Sequence, residues 1–465
     1  MLKTFDSRQL AHSPALELHN GGWVSHAEKV SRAEMIATAL GALAPAKDFG
    51  IEPIRRIHAE DYLSFLAEAH GRWIAGGREG DAIPYTFPIV RRRRLALDRI
   101  DALLGQYCFD ASSPIGAGTW ESAYWSAQSA LTALQPLLRG AARTSFALCR
   151  PPGHHAGRDY CGGYCYLNSA AIAARAAADA GLGRIAILDV DYHHGNGTQD
   201  IFHDRRDVAF ASIHADPATD YPFFWGHSDE IGANLLNLPL PRGTGWAAYA
   251  PALDRALDWI DRRGPDLLVV SFGADTHEAD PISHFRLRTV DYAPMARRIA
   301  ALRLPTVVVM EGGYAVDALG ANVAEFLEHL RAGRCRPAGL HAHPARITHM
   351  VARLLDRHRT GPVAKQRLEI WGALADGKLE HQDVARVAEA LAFSGGDDDD
   401  EPALPFSDPH GIGRQLLTLR RYGRSQARLI PYLTVQAYLA REREGARGLA
   451  SRTGRASARH GIRVA

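Results

Sequence analysis

Between residues 144 and 330 the chain alternates two hydrophobic periods, and this alternation limits the fold more than any other feature. Ser145–Cys149, Ile185–Val190, Val208–Ile213, Leu267–Phe272 and Thr306–Met310 are short apolar runs with no polar alternation. Asn168–Ala180, Trp246–Arg262, Asp291–Leu302 and Val316–Leu330 carry helical spacing between or after them. A strand with no polar face must be covered on both sides. The pattern therefore predicts an α/β fold, a parallel sheet with helices on both faces. In such sheets ligands sit beyond the carboxyl ends of the strands. The polar clusters fall there: Asp189 to His194, His214 onward, Asp275, and Gly312 to Tyr314.

The flanks read differently. Residues before about 140 are mostly helical with loops, including the Gly/Pro-rich GGREGDAIPYTFP. The α/β unit is expected over residues 1–340. Helical spacing at Ile347, Met350, Val351, Leu354 and Leu355, and again at Val384, Val387, Ala388 and Leu391, predicts a mostly helical C-terminal extension over 341–393. SGGDDDDEPALP at 394–405 reads as a flexible acidic linker. A helical segment over 406–445, broken at Pro431, and a disordered basic tail over 446–465 complete the expectation.

Charge and cysteine content remove several classes of function. A formal net charge of +2 gives no field that argues for nucleic acid. The RRRR run at 91–94 reads as solvated surface. Five irregularly spaced cysteines do not make a disulfide framework. MLKTFDSRQLAHS lacks a signal-peptide core, and no run of about 20 apolar residues exists to span a membrane. A cytoplasmic location is expected.

Three segments gather carboxylates and imidazoles just after strands: PPGHHAG at 151–157, DVDYHHGNG at 189–197 and GADTHEADP at 273–281. In an extended segment alternate residues share a side, so Asp189, Asp191 and His193 are expected together. Asp191 and His193 can chelate one metal, with Asp275 from another strand end as third ligand. Two carboxylates, one imidazole and an open position make a catalytic metal site. Each residue alone has a plainer role, since a lone Asp after a strand is more often a helix cap. Their combination argues for the metal. His154 and His155 follow Pro-Pro-Gly, and Asp189 is the natural orienting partner for His154. Gly312-Gly313 permits close backbone approach, so Tyr314 either packs or donates its hydroxyl to a developing oxyanion.

RPPGHHAGRDYCGGYCYLNSAAIAA, ILDVDYHHGNGTQDIF, SIHADP, SFGADTHEADP and VMEGGY, in this order, resemble the zinc-dependent histone deacetylase superfamily. ELHNGG, AIPYTFP, GTWESA, YPFFWG and DPISHF are more similar to its polyamine-directed branch, the bacterial acetylpolyamine amidohydrolases. The resemblance implies an arginase/deacetylase-like fold, one zinc ion per chain, and release of acetate from a small acetylated amine. It matches Asp191, His193 and Asp275 to the zinc ligands and His155 to the general base and later general acid. His154 matches the electrostatic neighbour, and Tyr314 the carbonyl-polarising tyrosine. Gly163 and Tyr164 match one pocket wall, with Phe224 or Trp225 supplying the other. Asp189 and Ser212 match side chains of a structural monovalent-cation site, taken as K+.

Asn196 stands where many nuclear members carry Asp, and a neutral amide should raise the basicity of His155 less than a carboxylate would. Glu17 aligns with the branch's mouth-region glutamate. Ile282 replaces a specificity glutamate of the eukaryotic polyamine deacetylase. Asp101 falls near an acid that a partner subunit contributes in the branch. The segment from Thr86 to Gly116 is shorter than in that branch, so a homodimer is left open. Three other readings remain: a protein acetyl-lysine deacetylase, a non-catalytic scaffold, and a di-manganese ureohydrolase. The last requires Asp-x-His-x-Asp, whereas the chain has Asp191-Tyr192-His193-His194-Gly195.

Overall fold

The computed structural model describes residues 1–88, 95–230, 232 and 234–332. The basic run at 91–94 and the expected extension, linker and tail from 341 onward lie outside the described residues. In chain order the strands are β1 (Leu2–Thr4), β2 (Leu16–His19), β3 (Gly22–Ser25), β4 (Thr144–Ala147), β5 (Ile185–Asp189), β6 (Val208–Ala215), β7 (Leu235–Leu240), β8 (Leu267–Phe272) and β9 (Thr306–Met310). The helices are α1 (Val30–Leu40), α2 (Glu52–Arg55), α3 (Glu60–Ala75), α4 (Ile100–Tyr107), α5 (Thr119–Leu138), α6 (Ser169–Asp179), α7 (Asn196–Phe202), α8 (Trp246–Arg263), α9 (Tyr292–Ala301) and α10 (Val316–Ala332).

Seven strands form one sheet in the order β1-β4-β9-β8-β5-β6-β7, and every pairing is parallel. The apolar runs explain its interior. Period-two alternation sends Ile185, Ile187, Val269, Val307 and Val309 into one core, against α3, α4, α5 and α6. Ala186, Leu188, Val270, Val308 and Met310 enter the other core, against α1, α8, α9 and α10. Each fully buried Val or Leu stabilises by about 1.5–3 kcal/mol, so both faces hold the sheet.

Two sheet strands lie at the edges and escape the sequence pattern. β1 is three residues long. β7 contains Pro239, which an edge position tolerates because one side of the strand needs no donor. The N-terminal region also contains an antiparallel hairpin of β2 and β3. Asn20 and Gly21 form its two-residue turn with φ of 49° and 78°. Positive φ at both positions is what a type I′ turn requires.

Candidate metal centre and active site

Four neighbouring strands, β4-β9-β8-β5, deliver their carboxyl ends to one place. β5 leads to Asp191 and His193, and β8 leads to Asp275. β9 leads to Glu311 and Tyr314, and β4 leads to the 151–157 loop. The segment after β5 is not extended. Asp191 N–H donates to Asp189 Oδ1 at 3.1 Å, and His193 N–H donates to Asp191 Oδ1 at 2.9 Å. Asp191 and His193 therefore meet through a carboxylate-capped turn, a correction to the alternating-side argument.

Asp191, His193 and Asp275 each offer a ligand atom, all within 4.8 Å of one another. His193 Nδ1 lies 3.0 Å from Asp275 Oδ2 and 3.4 Å from Asp191 Oδ1. Tyr192 N–H donates to Asp275 Oδ1 at 2.8 Å, and Gly312 N–H donates to Asp191 Oδ2 at 2.8 Å. Gly312 is needed here, because a Cβ on it would lie 2.6 Å from both Asp191 Oδ2 and Asp275 Oδ2.

The donor set fits a divalent metal. Burial pushes Asp275 up to about 8, and the charge of Asp191 adds to that shift. Burial would lower His193, but its bonds to Asp191 and Asp275 prevail and hold it at about 10. Burial opposes ionisation of Asp191 too, yet the positive His154 and His193 hold its carboxyl below the usual range. Without a cation, the three groups compete for protons. A dication removes that competition, and mixed carboxylate and imidazole ligands with room for water are what catalytic zinc uses.

The paired histidines have different partners. His154 Nδ1 donates to Asp189 Oδ2 at 3.0 Å, and its Nε2 lies 3.7 Å from Asp191 Oδ1. Burial lowers His154, but Asp191 and Asp189 outweigh it and raise the imidazole to about 10. His155 Nδ1 sits 2.7 Å from Asn196 Oδ1. An amide oxygen only accepts, so Nδ1 carries the proton and Nε2 keeps its lone pair. Burial, then the charges of His154 and His193, push His155 well below its ordinary value. The strand register pairs Asp189 with Ser212, whose hydroxyl lies 2.8 Å from His214 Nδ1.

Tyr314 is buried, with its ring edge-on to Tyr164 at 5.6 Å and the Arg32 guanidinium over its face at 4.7 Å. Asp280 holds its backbone, accepting from Tyr314 N–H at 2.7 Å. Arg32 donates to the carbonyls of Gly313 and Glu311, each at 2.6 Å. Glu311 in turn accepts from Gly153 N–H at 2.7 Å and His154 N–H at 3.1 Å, which anchors the histidine loop. Asp280, Glu311 and Arg32 carry no sequence signal of these roles. The first two lie in GADTHEADP and VMEGGY, but as acids without a distinguishing spacing.

The β2–β3 hairpin places Glu17 in this region. Tyr164 donates its hydroxyl to Glu17 Oε1 at 3.0 Å, while Glu17 Oε2 is buried without a hydrogen-bond partner. Burial raises Glu17 to about 7; the Tyr164 bond opposes the shift and the charge of Asp110 adds to it. Gly163 and Tyr164 take left-handed φ of 54° and 65°. A Cβ at Gly163 would lie 2.4 Å from His155 Cδ2, so this wall touches the histidine. Opposite it the structure brings neither expected aromatic. Phe224 is 86% exposed and Trp225 36% exposed. The ring against His155 is that of Tyr221, edge-on at 5.0 Å. Phe223, at φ 60°, turns the chain outward just beyond it. Asp101 is held within its own chain by Arg99, at 2.6 Å, and by Arg78, at 3.5 Å.

A parallel sheet with an Asp-His-Asp cluster at its strand ends, beside one imidazole bonded to a carboxylate and one bonded to an amide, fits a hydrolase of the metal-dependent deacetylase class. The chain belongs to the histone deacetylase family: the model described as the histone deacetylase domain matches residues 24–330. It is 48% identical over 338 residues to acetylpolyamine amidohydrolase 2 of Pseudomonas aeruginosa, covering 70% of this chain and 98% of that one. It is 45% identical over 323 residues to acetylpolyamine amidohydrolase of Mycoplana ramosa, covering 67% and 94%. The crystal structure of acetylpolyamine aminohydrolase from Burkholderia pseudomallei superimposes with a TM-score of 0.69 at 41% identity, covering 71% of this chain and 99% of that one. No described helix is long and apolar enough to cross a membrane.

Proposed function

We propose that this chain removes acetate from N-acetylated linear amines, with acetylpolyamines as its substrates. The observation that carries the reading is the pairing of the Asp191–His193–Asp275 cluster with a neutral His155 whose Nδ1 is committed to Asn196. The relatives named acetylpolyamine amidohydrolase support the same activity.

A zinc ion held by Asp191, His193 and Asp275 supplies Lewis acidity to the water and the amide carbonyl when bound. His155 Nε2 accepts a proton from water as the oxygen attacks the carbonyl carbon, and Asn196 keeps Nδ1 protonated throughout. Tyr314 donates its hydroxyl to the carbonyl oxygen as negative charge builds there. His155 then returns the proton to the amine nitrogen as the C–N bond breaks. His154, tied to Asp189, contributes fixed positive charge beside the reaction. Gly163 and Tyr164 line one side of the acyl-amine chain.

Glu17 supports the choice of a cationic amine. A half-bonded buried acid with a raised affinity for protons gains most from an ammonium, which restores the carboxylate. Asp189 and Ser212 belong to a structural K+ site in this reading, and Phe224 and Trp225 lie at the rim. The α/β unit ends near residue 340, the location is cytoplasmic, and a homodimer is compatible with the exposed rim.

The test compares acetylcadaverine with an acetyl-lysine peptide on wild type and Glu17→Ala. Preference for the small cation that collapses in Glu17→Ala supports the reading. Preference for the peptide, or a small-amine activity that Glu17→Ala spares, refutes the substrate assignment.

A further inference from the structure

Asp110 lies outside the sequence motifs named above, yet it joins two groups that pack against His155. Its Oδ2 accepts from Gly163 N–H at 2.8 Å and from the Tyr221 hydroxyl at 2.6 Å. Ser112 N–H donates to Oδ1 at 3.1 Å and fixes the carboxylate plane. One oxygen thus joins the two groups that flank His155. Bonds to a carboxylate are about twice as strong as neutral ones and hold geometry accordingly.

The surrounding packing leaves no slack. A Cβ at Gly163 would lie 2.4 Å from His155 Cδ2 and 2.8 Å from Tyr221 Oη. Phe109 stacks on Tyr221 at 6.0 Å, and a Cβ at Gly162 would lie 2.3 Å from the Phe109 ring. Phe109 N–H donates to Cys161 O at 3.0 Å, and Cys161 N–H donates to Tyr107 O at 2.8 Å, so the backbones of the two segments are laddered just before the channel. Phe109 and Asp110 thus pack against both the 162–163 segment and Tyr221.

We propose that Asp110 is a positioning residue that clamps the Gly163 backbone to the Tyr221 hydroxyl beside His155 and so sets how thick a substrate can reach the histidine. The proposal rests on the deacetylase reading above. A phenylalanine at 221 would keep the ring but not the bond, so the tyrosine hydroxyl serves the clamp.

The test is a double-mutant cycle of Tyr221→Phe and Asp110→Ala on zinc-loaded protein. The substrates are acetylcadaverine and its analogue methylated on the carbon next to the amide nitrogen. Both carry the same charge and differ in thickness. Each single variant is expected to lower kcat for the linear amide about 10-fold, the fold-change a charge-assisted bond can carry, with KM changed less than about threefold. Each also lowers the preference for the linear amide, and the double variant falls no further than the worse single one. Tyr221→Phe keeps the test open should Asp110→Ala fold poorly. An unchanged preference in Tyr221→Phe, or losses that multiply in the double variant, overturns the clamp. A wild type inactive on both amides overturns the functional reading, and the clamp with it.

Discussion

Replacing Asn196 with Asp changes one charge beside the proposed base and nothing in shape. Asn196 Oδ1 lies 2.7 Å from His155 Nδ1, and both residues are buried. In the wild type, burial and the positive His154 push His155 well below its ordinary value, so the base stays neutral well into acid. A carboxylate at that distance favours the imidazolium, and an opposite charge this close shifts such a group by about 1–3 pH units. A base must be neutral to accept a proton. Raising its proton affinity therefore moves the acidic limb of kcat/KM upward, and activity is lost at a higher pH than in wild type. The assay is acetate release from acetylcadaverine from pH 9 down to the most acidic pH at which the protein stays folded and zinc-loaded, with zinc content and thermal unfolding checked in parallel. An acidic limb that stays within about 0.3 pH unit in a folded, zinc-loaded Asn196→Asp protein refutes His155 as the base.

Two other perturbations address neighbouring parts of the site. Tyr314→Phe removes one oxyanion donor and should lower kcat by about 10²–10³ with unchanged zinc content, measured by single-turnover acetate release. Gly312→Ala puts a methyl where the structure leaves 2.6 Å to both ligand carboxylates, so zinc affinity should fall about 10–100-fold in a competition titration with a chelator.

The central sheet was legible because its five inner strands have no polar face and a double-sided core accepts nothing else. The edges were not. β1 is too short to show a period, and Pro239 in β7 reads as a strand breaker until the strand is known to lie at an edge. The β2–β3 hairpin had a local signal in Asn20-Gly21, but its strands are four residues each and β3 is exposed throughout, too little to frame the turn. Within the site, the cluster of Asp191, His193 and Asp275 was visible because those residue types directly follow two apolar strands, β5 and β8. Its geometry was not, since carboxylate-capped turns rather than an extended strand bring Asp191 and His193 together. The ring beside His155 is that of Tyr221, while Phe224 and Trp225 are exposed. Four aromatic residues stand within five positions, from Tyr221 to Trp225, and only the backbone turn at Phe223 decides which one faces inward. Asp110, Asp280 and Glu311 act through backbone N–H groups of distant segments, a role with no sequence period to betray it.

Titration of zinc into metal-stripped protein, with bound metal and acetate release from acetylcadaverine measured on the same samples, tests the central claim most directly. Activity is predicted to rise in proportion to bound zinc and to stop at one zinc per chain, with Asp191→Asn binding little and hydrolysing nothing. Hydrolysis by the stripped protein, or full activity only at two metals per chain, would contradict the site described here.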